Sequence, residues 1–152
     1  MRIPMFEIML ILAGMFLGMV LDDHLTALRK ADREFIVSPA ALYQSDNELY
    51  FNNKLPKAEV VAAESPDGDD VYGVTVHTPG TNYYKIFISP KNNDSMSLER
   101  GTVLHEACHT KVWSDAEANG TIDEYRFKDH HGKEFQDCML SLAKKGAFAT
   151  IW

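Results

Sequence analysis

The chain has 152 residues, of which 45% are hydrophobic and 24% charged, and a formal net charge of -7. That length and composition suit one folded domain with a sizeable core and exclude a disordered chain. The acidic balance, with no cluster of lysines or arginines, argues against nucleic acid or an anionic lipid surface as the primary partner.

The N-terminus is apolar. From Ile8 to Leu21 the sequence carries no charge, and Gly14 and Gly18 form the Gly-x-x-x-Gly spacing that lets helices approach closely. A spanning helix needs about 20 apolar residues, and shorter runs serve as signal segments or buried helices. A signal peptide would carry a basic start and a small-residue cleavage site, whereas Arg2 is the only early base and "MVLDDH" is a poor site. Residues 1–37 are therefore set apart as an apolar helix and linker: an anchor, a signal, or a docking segment in which residues 3–21 meet a membrane or an assembly partner. His24, just after the run, is expected to be solvated. The segment favours a membrane-associated or exported protein. The second unit is expected over 38–152.

Ser38-Pro39 is a helix start, with serine as N-cap and proline at the first helical position. A helix through "PAALYQSDNELYFNN" turns Leu42, Leu49 and Tyr50 towards a core, and Pro56 ends it. "AEVVAA", "VYGVTVHT" and "YYKIFIS" read as strands, separated by "SPDGDD" and "PGTN" turns, and suggest a small three-stranded antiparallel sheet. A helix follows from about Ser95 to Trp113, capped by Asp94, Ser95 or Ser97. "SDAEANGTIDEYRFKD" reads as a polar loop, and a last helix runs from about His131 to Lys145. The fold class is α+β. Cys108 and Cys138 lack metal-ribbon spacing and are expected to be buried thiols, with a disulfide between them left open.

The chemistry lies in "LHEACHTKVW". Residues four apart share a helix face, so His105 and His109 can point imidazoles at one ion. Glu106, about 100° round the helix, can reach a water beside the ion without being a ligand. This is the division of labour in a His-Glu-x-x-His peptidase: two histidines hold zinc and the glutamate takes a proton from water. A catalytic zinc also needs a third protein ligand.

"NELYFNNKLP", Gly73 in the second strand, "TVLHEACH" and "HGKEF" together resemble the SprT-like family of zinc metallopeptidases, over roughly residues 42–139. The resemblance implies a zincin-like domain and a zinc-dependent endopeptidase acting on protein or peptide substrates. It also implies one Zn2+ held by His105, His109 and His131, with Glu106 as general base. The stretch between His109 and His131 is longer than the family pattern suggests. Its acidic residues, Asp115, Glu117, Asp123 and Glu124, are expected to rim the site. The zinc ribbon and basic tail of many such proteins are absent, so a role on DNA does not carry over.

Periodicity separates His131 from His130. Stepping along a helix from His131 meets Phe135, Cys138, Met139 and Leu142, an apolar stripe, whereas His130 leads to Glu134, Asp137 and Ser141. His130 is expected outside the ligand set. His77 is expected to be partly exposed on its strand. Tyr125 is a candidate hydrogen-bond donor to a developing oxyanion, with surface packing the simpler role. Tyr83, Tyr84 and Phe87 are expected as sheet and core aromatics. A competing expectation is a catalytically silent peptidase-like subunit of a membrane or virion-type assembly, docked through its N-terminal helix.

Overall fold

The structure, a computed structural model, describes residues 37–68, 70–78, 80–123 and 130–149, all within one compact unit, Val37–Trp152. The expectations for the apolar N-terminal segment, His24, Glu124 and Tyr125 lie outside the described residues. No described helix is long and apolar enough to cross a membrane. The described residues form an α+β fold with a three-stranded mixed sheet and three helices.

Helix α1, Pro39–Tyr50, begins as its sequence dictates: the Ser38 hydroxyl accepts from the Ala41 amide at 3.3 Å and Pro39 occupies the first turn. It ends at Asn52 and Asn53, with φ of 55° and 58°, a left-handed conformation that asparagine tolerates. Asn47 Oδ1 accepts from the Leu55 amide at 3.0 Å, and the Tyr43 hydroxyl donates to the Pro56 carbonyl at 2.9 Å. These bonds fold the Lys-Leu-Pro turn back on the helix. Leu49, expected inward, is 65% exposed. The inward stripe runs through Leu42, Tyr43, Asp46 and Tyr50, and Leu49 flanks it at 100° per residue. Asp46 is wholly buried and pairs with Arg100 at 2.9 Å.

The strands are β1 (Ala58–Ala62), β2 (Gly73–His77) and β3 (Tyr84–Ile88), in the order β1-β3-β2. β2 and β3 form the expected antiparallel pair, with Gly73 opposite Ile88 and His77 opposite Tyr84. β1 runs parallel to β3, with Ala58 opposite Tyr84, which corrects the all-antiparallel expectation. The reason is that β3 takes the centre. Its Tyr84, Ile86 and Ile88 are almost fully buried, and it lies between two strands that are consecutive in the chain. A turn signal fixes reversal of direction between β1 and β2 but not their adjacency.

Helix α2, Met96–Ala118, starts at Ser95, whose hydroxyl accepts from the Leu98 amide at 3.3 Å. It runs past Trp113, through residues read as loop. Lys111 and Asp115 pair one turn apart on this extension. Gly120, at φ 71°, supplies the left-handed residue that stops it, with Thr121 N–H bonded to Ala116 O at 2.8 Å. Helix α3, Lys133–Lys144, has Gly132 as its N-cap, so His131 stands just ahead of the helix instead of within it. Phe135, Cys138 and Leu142 are buried, and Glu134, Asp137 and Ser141 are exposed, as the periodicity requires.

α2 packs against α1, α3, β2 and β3, and supplies Val103, Leu104, Ala107 and Cys108 to the core. Cys108 and Cys138 form a disulfide, with Cα atoms 5.8 Å apart, in place of the expected free thiols. Both sit on buried stripes of helices that face each other, so packing alone brings them within bridging range.

Candidate metal centre

α2 carries His105 and His109 one turn apart, and the chain entering α3 brings His131 to them. His105 Nε2 lies 3.2 Å from His109 Nε2 and 3.1 Å from His131 Nε2. The three ligand atoms all lie within 4.8 Å of one another. Two nitrogens each about 2.05 Å from a tetrahedral ion stand about 3.3 Å apart, so the cluster fits one metal ion.

Phe135 backs all three rings. It stacks on His109 at 4.4 Å between centroids and meets His105 and His131 edge-on, each at 4.8 Å. One aromatic side chain on the first turn of α3 therefore fixes the orientation of both α2 imidazoles. Gln136 Nε2 donates to the His131 carbonyl at 3.1 Å and holds that backbone at the helix start.

Burial pushes the His105 imidazole down to about 4, with the neighbouring His131 adding to the effect. Burial does the same to His109, down to about 3, helped by the surrounding imidazoles. Both are thus neutral at ordinary pH, which is the form that ligates a metal.

Glu106 is 3% exposed and points from α2 towards β2. The Thr75 hydroxyl donates to Glu106 Oε2 at 2.7 Å. Burial raises the carboxyl to about 7, and the Thr75 hydrogen bond opposes the rise. Gly73 is required here: a Cβ would meet Thr102 Cγ2 at 2.7 Å and Glu106 Oε1 at 3.0 Å. The strand can lie this close to α2 only without a side chain at that position. Thr102 and Asn93 hold the approach. Thr102 Oγ1 donates to Asn93 Oδ1 at 2.6 Å, and Asn93 Nδ2 donates to the Tyr72 carbonyl at 2.8 Å.

His105, Glu106, His109 and His131 line one open cleft of about 830 Å³. Its walls are largely apolar, with Tyr72, Val74, Leu98, Trp113 and Phe148 among them, and Asp67 and Asp70 also line it. The cleft thus brings together a three-nitrogen cluster, a buried carboxylate and apolar walls, an arrangement able to bind an extended ligand beside a metal.

Other expected residues fall elsewhere. His130 lines the cleft, its ring 5.8 Å from that of Trp113, outside the three-histidine cluster. His77 is half-buried as a residue, in line with expectation, but its side chain is only 1% exposed. It stacks on Tyr84 at 4.4 Å with Nε2 3.1 Å from Glu117 Oε1. β2 turns it under the last turns of α2, beyond the helix end that the sequence suggests at Trp113. For the same reason Glu117 is not a rim residue: it also accepts from the Tyr84 hydroxyl at 3.0 Å. Asp115 is exposed and paired with Lys111, lining a different cleft between α2 and α3. Asp123 is exposed. Tyr84 belongs to the buried sheet face, and Tyr83 is exposed and bonded to Glu59.

Thr75 and Phe135 are contributors that the sequence alone does not single out as site residues. Thr75 is two positions from Gly73 and so shares its strand face, but only the packing of β2 along α2 gives that face a meaning. Comparison of the chain with protein-family models, curated proteins and solved structures finds no match.

Proposed function

We propose that this chain is a zinc-dependent metallopeptidase of zincin-like build, as its resemblance to the SprT-like family suggests. The single observation that carries the proposal is the pairing, in one open cleft, of three clustered imidazole nitrogens with a buried carboxylate. His105, His109 and His131 hold the ion. A structural site needs no acid beside it, and Glu106 supplies one. When bound, zinc supplies Lewis-acid activation of the attacking water and of the scissile carbonyl. Glu106 accepts the proton from that water and returns it to the leaving amine, a double duty suited to a carboxyl raised to about 7. The apolar cleft walls shield the reacting groups and hold a protein or peptide chain. The apolar segment over residues 3–21 tethers the domain to a membrane or an assembly partner.

The test combines metal analysis with a peptide-library cleavage assay. Wild-type protein is expected to carry one zinc and to cleave. Glu106→Gln should keep near-stoichiometric zinc and lose roughly 10² or more in turnover. Wild-type turnover in Glu106→Gln rejects the mechanism. A zinc-loaded wild type that cleaves nothing favours a catalytically silent subunit instead.

A further inference from the structure

The geometry points to Thr75 as the positioning residue of the general base, Glu106. The inference rests on the peptidase reading and adds a residue to it. Thr75 Oγ1 donates to Oε2 at 2.7 Å and also stands 3.3 Å from the Glu106 backbone carbonyl oxygen. One hydroxyl therefore spans the side chain and main chain of the same residue. This restrains rotation about the bonds between them. Oε2 is committed to that bond. The Thr75 backbone amide bonds to the same carboxylate, and Oε1 lies beside Gly73, 3.0 Å from where a Cβ would stand.

The positioning is built from the strand, not from the helix. A glutamate side chain on a helix has three rotatable bonds and several rotamers, so the motif on α2 does not by itself aim its carboxylate. Gly73 and Thr75 stand on one face of β2, two residues apart. The first leaves room and the second supplies the donor. The bonds from Thr102 to Asn93 and from Asn93 to the Tyr72 carbonyl fix how closely the start of β2 approaches α2. The Oγ1–Oε2 distance is therefore set by side chains that are not members of the three-histidine cluster.

Thr75→Val removes the hydroxyl and keeps the branched shape, and Thr75→Ser restores the hydroxyl. Thr75→Val is expected to lower kcat roughly ten- to hundredfold, the scale of one hydrogen bond to a charged group, with KM changed by less than about twofold. Zinc stoichiometry should stay at the wild-type value, and Thr75→Ser should recover to within about threefold of wild-type kcat. A second readout is independent of turnover: a double-mutant cycle of Thr75→Val with Glu106→Leu, which removes the acceptor, measured by urea denaturation of zinc-stripped protein. Coupling between the two positions is expected, because the bond exists without the metal. Wild-type kcat in Thr75→Val, with Glu106→Gln inactive, overturns the positioning role and leaves the peptidase reading standing. Wild-type turnover in Glu106→Gln sinks the peptidase reading itself. Additive stabilities in the cycle, or a Thr75→Ser variant as slow as Thr75→Val, also overturn the inference. If valine prevents folding, Thr75→Ala is judged against Thr75→Ser by the same criteria.

Discussion

Two of the three clustered histidines stand on α2, and the third stands just before α3, and the two helices are held in place differently. α2 is enclosed on several sides by α1, α3 and the sheet, and buries polar residues along with apolar ones, including Thr102, Glu106 and Thr110. α3 buries only Phe135, Cys138 and Leu142 and leaves its other faces in water. His105 and His109 are half-buried, whereas His131 is exposed. α2 thus provides a fixed half of the site and α3 a docked half. The docked half is secured by one aromatic ring, one disulfide and a short apolar stripe.

The sharpest break of that comparison comes from the ligands. His105→Ala or His109→Ala should abolish zinc retention after dialysis against a competing chelator. His131→Ala should lower affinity sharply yet leave weak binding by the two α2 imidazoles, which are already preset one turn apart. Stronger zinc retention in His109→Ala than in His131→Ala would reverse the assignment of fixed and docked halves.

The next effect concerns the bridge. Cys108 and Cys138 are 30 positions apart, and a loop of that length corresponds to about 3–4 kcal/mol in the chain-entropy model. Cys138→Ala, or reduction with a phosphine, should lower stability by that order in urea titrations. It should also weaken zinc binding, through the placing of His131. Unchanged zinc affinity in a reduced but folded protein would show that Phe135 and the apolar stripe are sufficient to dock α3.

A third effect belongs to α2 alone. Burial raises Glu106 from 4.5 to about 7 in the folded chain, so the folded state holds a proton that the unfolded state releases between those values. Zinc-stripped protein therefore loses stability from this group as pH rises from about 4.5 to 7, and nothing further above that. Glu106→Gln lacks the loss and should be the more stable protein at pH 8, by on the order of 3 kcal/mol, with the gain vanishing near pH 4. His105 and His109 act in the opposite direction, costing stability as pH falls below 6.5, but they are present in both proteins and cancel in the difference. Thermal unfolding across that range measures it, and equal midpoints at pH 8 would contradict the burial of a charge-prone carboxyl.

The smallest effect is at His130. It lies in the cleft against Trp113 and outside the cluster, so His130→Ala should change zinc affinity by less than about tenfold, the lower end for an outer neighbour of a ligand. Loss of the metal in that variant would move the third ligand by one residue.

The features that could be read from the sequence are the local ones. The Ser38-Pro39 cap and the stripe of α3 follow from spacing within a few residues, as does the pairing of His105 with His109, and the cap of α2 is narrowed to Asp94, Ser95 or Ser97, of which Ser95 takes it. Contacts between distant segments were not legible. The place of β3 between β1 and β2, the burial of His77 under Glu117, the Cys108–Cys138 bond and the Thr75–Glu106 contact all join such segments. No period or propensity encodes them. The end of α2 past Trp113 was not legible either, because its residues are mostly polar and carry no clean apolar stripe.

The Cys108–Cys138 bond has a consequence for a chain proposed to cut other chains. It encloses His109, His131 and the whole acidic connection between them in one covalent ring. A single cut anywhere in that connection, by the protein's own activity or by another protease, opens the ring but releases no fragment. Both pieces stay joined through sulfur, and His131 remains tethered beside α2. Damage that would detach a third ligand in an unbridged chain becomes a nick. It is visible as two bands on a reducing gel and as one band without reductant.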